Sequence, residues 1–337
     1  DSFLDVGDRV FGVDDIRPLI FAPAGNASGP VVPLAASATE FTGTGCRDGD
    51  YGALPADAIV LVGPGDCLRR DQVIAAQQAG AVAFLAVSPE APSGVVLRPT
   101  LLDPRGLTIP AASVSHGAAE ALVAAAKGSG TARLVTDAHT EQTPTRTVLA
   151  ELAGTRDGQV IMLGAHLDSV IDGPGINDNG SGVAALLEIA RALRGTRPQA
   201  TVRMAFWSGE ELGLHGSLRY VAALSQEQKD AIVVYANVDM IASPNGFAGV
   251  YDEPNAAAGS SKASGLLSAA VTRNGVTPVQ VDLHNGSDHY GFVEAGVATA
   301  GVFSGFLDPV SAEQAAASGA EAGRPADGCY HQPCDDL

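Results

Sequence analysis

The stretch IMLGAHLDSVIDGPGINDNGSG, residues 161–182, sets His166, Asp168 and Asp178 among glycines directly after an apolar run. Imidazole and carboxylate together are the donors that suit zinc. Similar groups recur at the ends of later apolar runs. Glu210 and Glu211 follow TVRMAFWS (201–208), Asp239 closes the run AIVVYANV (231–238), and His331 lies in CYHQPC (329–334). Three carboxylates and two histidines, one carboxylate bridging, give two metals three protein ligands each and leave room for a shared water. That is the two-metal route to hydrolysis. Glu210, beside Glu211 but pointing differently, is the natural general base. Each residue alone has a plainer explanation: a strand-end histidine is more often a hydrogen-bonded structural group, and a Glu-Glu pair a solvated helix start. Their joint placement on successive run ends is what points to a metal centre.

The elements that must carry these groups are legible as apolar runs. QVIMLGA, TVRMAFWS, AIVVYANV and VATAGVFS (297–304) read as strands, and VAALLEIARALRG places Val183, Leu186, Leu187, Ala190 and Leu193 at helical spacing. Such alternation predicts an α/β/α sandwich around a largely parallel mixed sheet. Ligands of open α/β sheets gather outside the carboxyl ends of the strands, so the candidate donors would converge on one rim. Upstream, TDAHTEQTPTRT (136–147) has no period and reads as a linker, placed at 138–146. Before it, AIVLVGPGDC and AVAFLAV read as strands, DQVIAAQQAG as a helix capped by Asp71 and stopped by Gly80, and HGAAEALVAAAKGSG as a second helix. This smaller α/β module holds no cluster of His, Glu or Asp. It is expected to be a structural or covering module rather than a catalytic one.

Bulk properties narrow the function classes. At 337 residues the chain exceeds the roughly 100–200 residues of a usual domain, so two domains are expected. The formal net charge of −18 repels phosphate backbones and anionic membranes, which argues against nucleic-acid and membrane-surface roles. No apolar run reaches the roughly 18 residues of a membrane span. The 4 cysteines fall into two local pairs, Cys46 with Cys67 and Cys329 with Cys334. Zinc-thiolate sites usually use tighter CxxC pairs, so two disulfides are expected, and with them an oxidising compartment and export.

Six motifs in order, GAHLDSV, GINDNGSG, SGEELGLHGS, NVDMI, GSDH and CYHQPCDD, give residues 147–337 a specific resemblance to secreted di-zinc aminopeptidases of the Streptomyces leucyl aminopeptidase type. The resemblance implies His166 and Asp239 on one zinc, Glu211 and His331 on the other, and Asp178 bridging. It further implies Glu210 as the general base, Tyr330 as a donor to the tetrahedral oxyanion, and Asp168 as the carboxylate that orients His166. Met240 and Phe303 match positions that line the pocket for the first substrate residue. The Asp178–Asn179 peptide bond is expected to be cis. Residues 17–137 resemble a protease-associated domain, including Cys46 and Cys67, which leaves residues 1–16 as the expected opening segment of the peptidase domain.

Departures from the family also carry expectations. Gly286 stands before Ser287-Asp288-His289 where relatives carry arginine, so that contact to substrate is missing, and Asp288 and His289 are read as structural or supporting groups. His215 is expected to be solvated. Helices that family members carry before the inserted domain and after the last cysteine are absent from this chain, so trimmed or disordered ends are expected, and calcium is left open. The expected activity is that of a secreted, monomeric zinc aminopeptidase acting on peptides with a free, apolar N-terminal residue. A carboxypeptidase of the same fold would need cations for the substrate carboxylate, and Gly286 counts against it. An inactive binding module would be marked by loss of metal ligands, and all five are present.

Overall fold

The computed structural model describes residues 2–89, 94–252, 256–284 and 286–337. The chain divides into two compact units, Asp1–Thr143 and Pro144–Leu337, with the boundary inside the expected linker.

The first unit contains strands β1 (Phe3–Val6), β2 (Arg9–Phe11), β3 (Ile16–Pro18), β4 (Gly25–Pro33), β5 (Ile59–Val62), β6 (Ala83–Val87), β7 (Ala111–Val114) and β8 (Thr131–Thr136). They form one sheet in the order β2-β1-β8-β4-β5-β6-β7-β3, with β4 to β7 parallel. Helices α1 (Arg69–Gln78) and α2 (His116–Lys127) accompany it. Every residue of β5, β6 and β7 is buried, which is why their sequences are continuous apolar runs rather than alternating ones. The Ser115 hydroxyl caps α2 by accepting from the Ala118 amide. Helix α1 begins earlier than expected, after Leu68, so Asp71 lies in its first turn and does not cap it.

One domain boundary needs correction. Residues 1–16 do not open the peptidase domain: β1 pairs antiparallel with both β2 and β8, which fixes this segment in the first unit. Pairing with a strand some 130 residues away satisfies its backbone groups, and no local sequence signal announces such a partner.

The second unit contains β9 (Val148–Leu152), β10 (Val160–His166), β11 (Thr201–Trp207), β12 (Ile232–Val238), β13 (Ala248–Tyr251), β14 (Pro278–Val281) and β15 (Thr299–Phe303). Their order is β14-β13-β15-β12-β10-β11-β9, and the central strands β15, β12, β10 and β11 are parallel. Helices α3 (Gly182–Leu193), α4 (His215–Ala223), α5 (Gln226–Ala231), α6 (Ser260–Arg273), α7 (Tyr290–Glu294) and α8 (Ala312–Ser318) complete the unit. Side chains alternating along β10 separate two cores. Met162 packs with Trp207, Tyr235 and Phe292 in one, and Ala165 with Leu186 and Met204 in the other. Gly164 faces the first of these cores and is required there, because a Cβ would overlap the Tyr235 hydroxyl and the Trp207 indole. Among the described residues no helix is long and apolar enough to cross a membrane.

Candidate metal centre

The parallel register of β10, β11 and β12 brings their carboxyl ends to one edge of the sheet. His166 is the last residue of β10, Asp239 follows β12 directly, and Glu210 and Glu211 lie in the turn after β11. Asp178 arrives on the irregular turn Ile176–Ser181 that precedes α3, and its bond to Asn179 is cis, as expected. Tyr330 and His331 come from the segment closed by the Cys329–Cys334 disulfide; the other expected bridge, Cys46–Cys67, is also formed.

Asp178 stands between the two histidines. Its Oδ1 lies 3.1 Å from His166 Nε2, and its Oδ2 lies 3.2 Å from His331 Nε2. His166 Nε2 is also 3.3 Å from Asp239 Oδ1, and His331 Nε2 is 3.0 Å from Glu211 Oε2. The donors thus sort into two sets, each with one imidazole, one terminal carboxylate and one oxygen of Asp178. The carboxylate of Glu210 faces the first set, its donor atom within 4.8 Å of those of His166 and Asp239. The two adjacent glutamates therefore diverge, one toward each half of the centre.

The chemistry of the donors fits metal ions. His166 is fully buried, and its Nδ1–H donates to the backbone carbonyl of Asp168 at 2.9 Å. That hydrogen bond leaves the Nε2 lone pair facing two carboxylate oxygens, a repulsive meeting unless a cation lies between them. Glu211 Oε1 and Asp239 Oδ1 are buried with no hydrogen-bond donor. Ligands on a tetrahedral zinc with bonds of about 2.0–2.1 Å stand roughly 3.3 Å apart, close to the nitrogen–oxygen separations in both sets.

Protons take the role of cations in the metal-free chain. Burial pushes His331 down, but its hydrogen bonds to Asp178 and Glu211 more than offset this and raise it to about 10. Burial likewise works against a charged His166, yet Asp239, Glu210 and Asp178 lift it well above the ordinary imidazole range. Asp178 is held low against its burial by the two histidines. Glu210 is raised, first by burial and then by Glu211, Asp288 and Asp239. Tyr330 is raised by burial and by Asp178 and Glu211, so its phenol stays protonated.

Supporting groups hold these side chains in place. Asp168 was expected to orient His166 through its carboxylate. It does so through its main-chain carbonyl instead, while its carboxylate accepts the backbone N–H groups of Glu210 and Glu211, each at 3.1 Å. The motif Gly286-Ser287-Asp288-His289 acts first through Ser287, whose hydroxyl donates to Asp239 Oδ2 at 2.6 Å and accepts from Asn237 Nδ2 at 2.7 Å. Asp288 is fully buried and raised to about 7 by that burial, and the His289 ring meets Tyr251 edge-on. Asn177 and Asn179 pin the Asp178 turn to the segment after β12 through Ala242 N, Met240 N and Val238 O. Asp327 and Asp335 take further amides of the turn. Ser287, Asn177, Asp327 and Asp335 were not singled out from the sequence, although all but Asp327 lie inside the motifs quoted there.

Met240 and Phe303 form a buried apolar cluster with Tyr251, and Leu283, Phe306 and Tyr330 complete its partly exposed wall. The Tyr330 ring stacks on His331 at 3.8 Å and meets Phe306 at 5.6 Å, so the cluster adjoins the candidate centre. His215, at the first position of α4, is exposed as expected.

Comparison with known proteins yields two family matches, peptidase family M28 over residues 147–337 and the PA domain over residues 27–122. The chain is 34% identical to an aminopeptidase of Pseudomonas aeruginosa over 96% of this chain and 62% of that protein. It is 38% identical to the probable lipoprotein aminopeptidase LpqL of Mycobacterium tuberculosis over 94% of this chain and 64% of that protein. The chain thus spans less than two thirds of the length of either relative. Among solved structures, the zinc aminopeptidase BSAP of Bacillus subtilis shares the fold, with a TM-score of 0.68 at 23% identity over 100% of this chain and 76% of that one.

Proposed function

The chain belongs to peptidase family M28, and from that premise we propose that it is an exported zinc aminopeptidase with a two-metal centre and Glu210 as its general base. The observation that carries this reading is the division of Asp178 between two imidazole–carboxylate sets. Asp178, His166 and Asp239 would hold one zinc, and Asp178, His331 and Glu211 the other. Bound there, a zinc pair supplies Lewis acidity toward a carbonyl oxygen and brings the pKa of a water near neutrality.

The chain's own residues supply the remaining roles. The carboxylate of Glu210 takes a proton from the attacking water and passes it to the leaving amine. The protonated Tyr330 hydroxyl is a donor for the oxygen that becomes negative as the carbonyl turns tetrahedral. Glu210 and Asp239 give the substrate's amino group an anionic setting, and Gly286 offers no cation for a carboxylate. The wall of Leu283, Phe306 and Tyr330 favours an apolar first side chain. Both disulfides are consistent with an oxidising compartment, and one relative is named a lipoprotein.

Leu-Gly-Gly and its N-acetylated form test the reading together. The free peptide should be cleaved, the acetylated one should not, and cleavage should vanish on chelation and return with added zinc. Equal cleavage of both peptides, or activity untouched by chelation, would overturn it.

A further inference from the structure

Three consecutive backbone amides, those of Ile176, Asn177 and Asp178, end on one residue far along the chain. Ile176 N–H donates to the main-chain carbonyl of Asp335 at 3.2 Å. Asn177 N–H donates to Asp335 Oδ1 at 2.7 Å, and Asp178 N–H to Asp335 Oδ2 at 3.1 Å. Asp335 is only 6% exposed. Its own amide donates to the carbonyl of Gln332 at 3.0 Å, which ties it to the segment that carries His331.

The turn before α3 needs such a partner. Its residues leave helical geometry at Asp178 and Asn179, so the turn has no regular ladder of its own to fix where the Asp178 side chain points. A carboxylate taking two successive N–H groups is a charge-assisted contact, stronger and more directional than a neutral one. The same device holds the two glutamates, where the Asp168 carboxylate takes the amides of Glu210 and Glu211. Asp327 is arranged differently: it binds the Asn177 side chain and the Cys329 amide, and has no bond to the backbone of Asp178.

We infer that Asp335 is a positioning residue that fixes Asp178 relative to His331, and thereby sets the affinity of the centre for its metal pair. The inference rests on the metal-centre reading given above. It goes beyond that reading because Asp335 is neither a ligand nor a group that meets substrate.

Asp335→Asn tests it with little change of shape. The amide keeps one acceptor and turns an NH2 group toward the second backbone N–H. Zinc affinity, measured by competition with a chromogenic chelator, should fall about 10- to 100-fold, as loss of an outer contact to a metal ligand typically does. The metal-free variant should remain folded, its melting temperature lowered by only roughly 2–8 °C for the lost buried contact. Asp335→Glu, which keeps both oxygens, should bind zinc more tightly than Asp335→Asn. Unchanged zinc affinity in Asp335→Asn would overturn the inference. So would an Asp335→Asn protein that is unfolded without metal at the temperature of the zinc titration, because Asp335 would then be a fold anchor. Wild-type protein that takes up no zinc would instead overturn the metal-centre reading itself, and this inference with it.

Discussion

Both units build a sheet around a parallel core, yet the ends of their strands do different work. In the first unit, Ser88 follows β6 and its hydroxyl accepts the Leu97 amide, while Ser115 follows β7 and caps α2. The groups at those ends organise the chain itself. In the second unit the corresponding ends carry His166, Asp239 and the Glu210-Glu211 pair, each buried or half-buried and crowded among other ionisable groups. A sheet edge thus becomes a reactive centre only when a further layer of polar groups holds its charges. Asp168, Ser287 and Asp335 form that layer, and the first unit shows no comparable group of ligands among the described residues.

The largest effect that would sharpen this contrast is expected at Glu210. Glu210→Gln keeps the shape but cannot take a proton, so turnover should fall by about 10²- to 10⁴-fold while zinc content stays unchanged. Parallel measurement of kcat and zinc would show it, and a variant with near-normal turnover would remove the general-base assignment.

The counterpart in the first unit is Leu85, fully buried in β6. Leu85→Ala should destabilise that unit by about 2–5 kcal/mol through the cavity it leaves. Activity per folded molecule at low temperature should be unaffected. Calorimetry paired with steady-state assays checks both halves of this expectation, and a loss of kcat at full folding would break the division of labour between the units.

A smaller effect is expected from pH in the metal-free protein. The folded-state pKa of His331, about 10, lies above its ordinary value of 6.5. Its charged form therefore contributes stability in full below about pH 6.5, and that contribution is lost as pH rises through about 10. The melting temperature of metal-free wild type should fall relative to His331→Gln across this interval. Parallel pH profiles of the two metal-free proteins would contradict the ion pairing described for His331.

Much of this is legible in the sequence alone. His166 and Asp239 stood out because a strand end is a recognisable place, and the cysteine pairs because their spacing is short. The expected ligand partition, the cis bond and the donor role proposed for Tyr330 rest on the resemblance of ordered motifs. What stayed hidden depends on where distant segments meet. The Asp178 amide and the Asp335 carboxylate are 157 positions apart, and a carboxylate in CDD has no local feature that distinguishes an amide acceptor from a solvated charge. The placement of residues 1–16 was missed for the same reason, since the partner of β1 is a strand near the end of the unit. Asp168 was identified as a supporting residue but not by the correct atom, because a backbone carbonyl is available at every position and carries no sequence signature.

The central claim is that one rim of the second unit holds two metals through a shared Asp178. Elemental analysis of the dialysed protein beside its Asp178→Ala variant tests it most directly. The account predicts two zinc ions per chain in the wild type and loss of both in the variant, because the bridging carboxylate serves each set. A wild type that holds one zinc or none, or a variant that retains two, would contradict it.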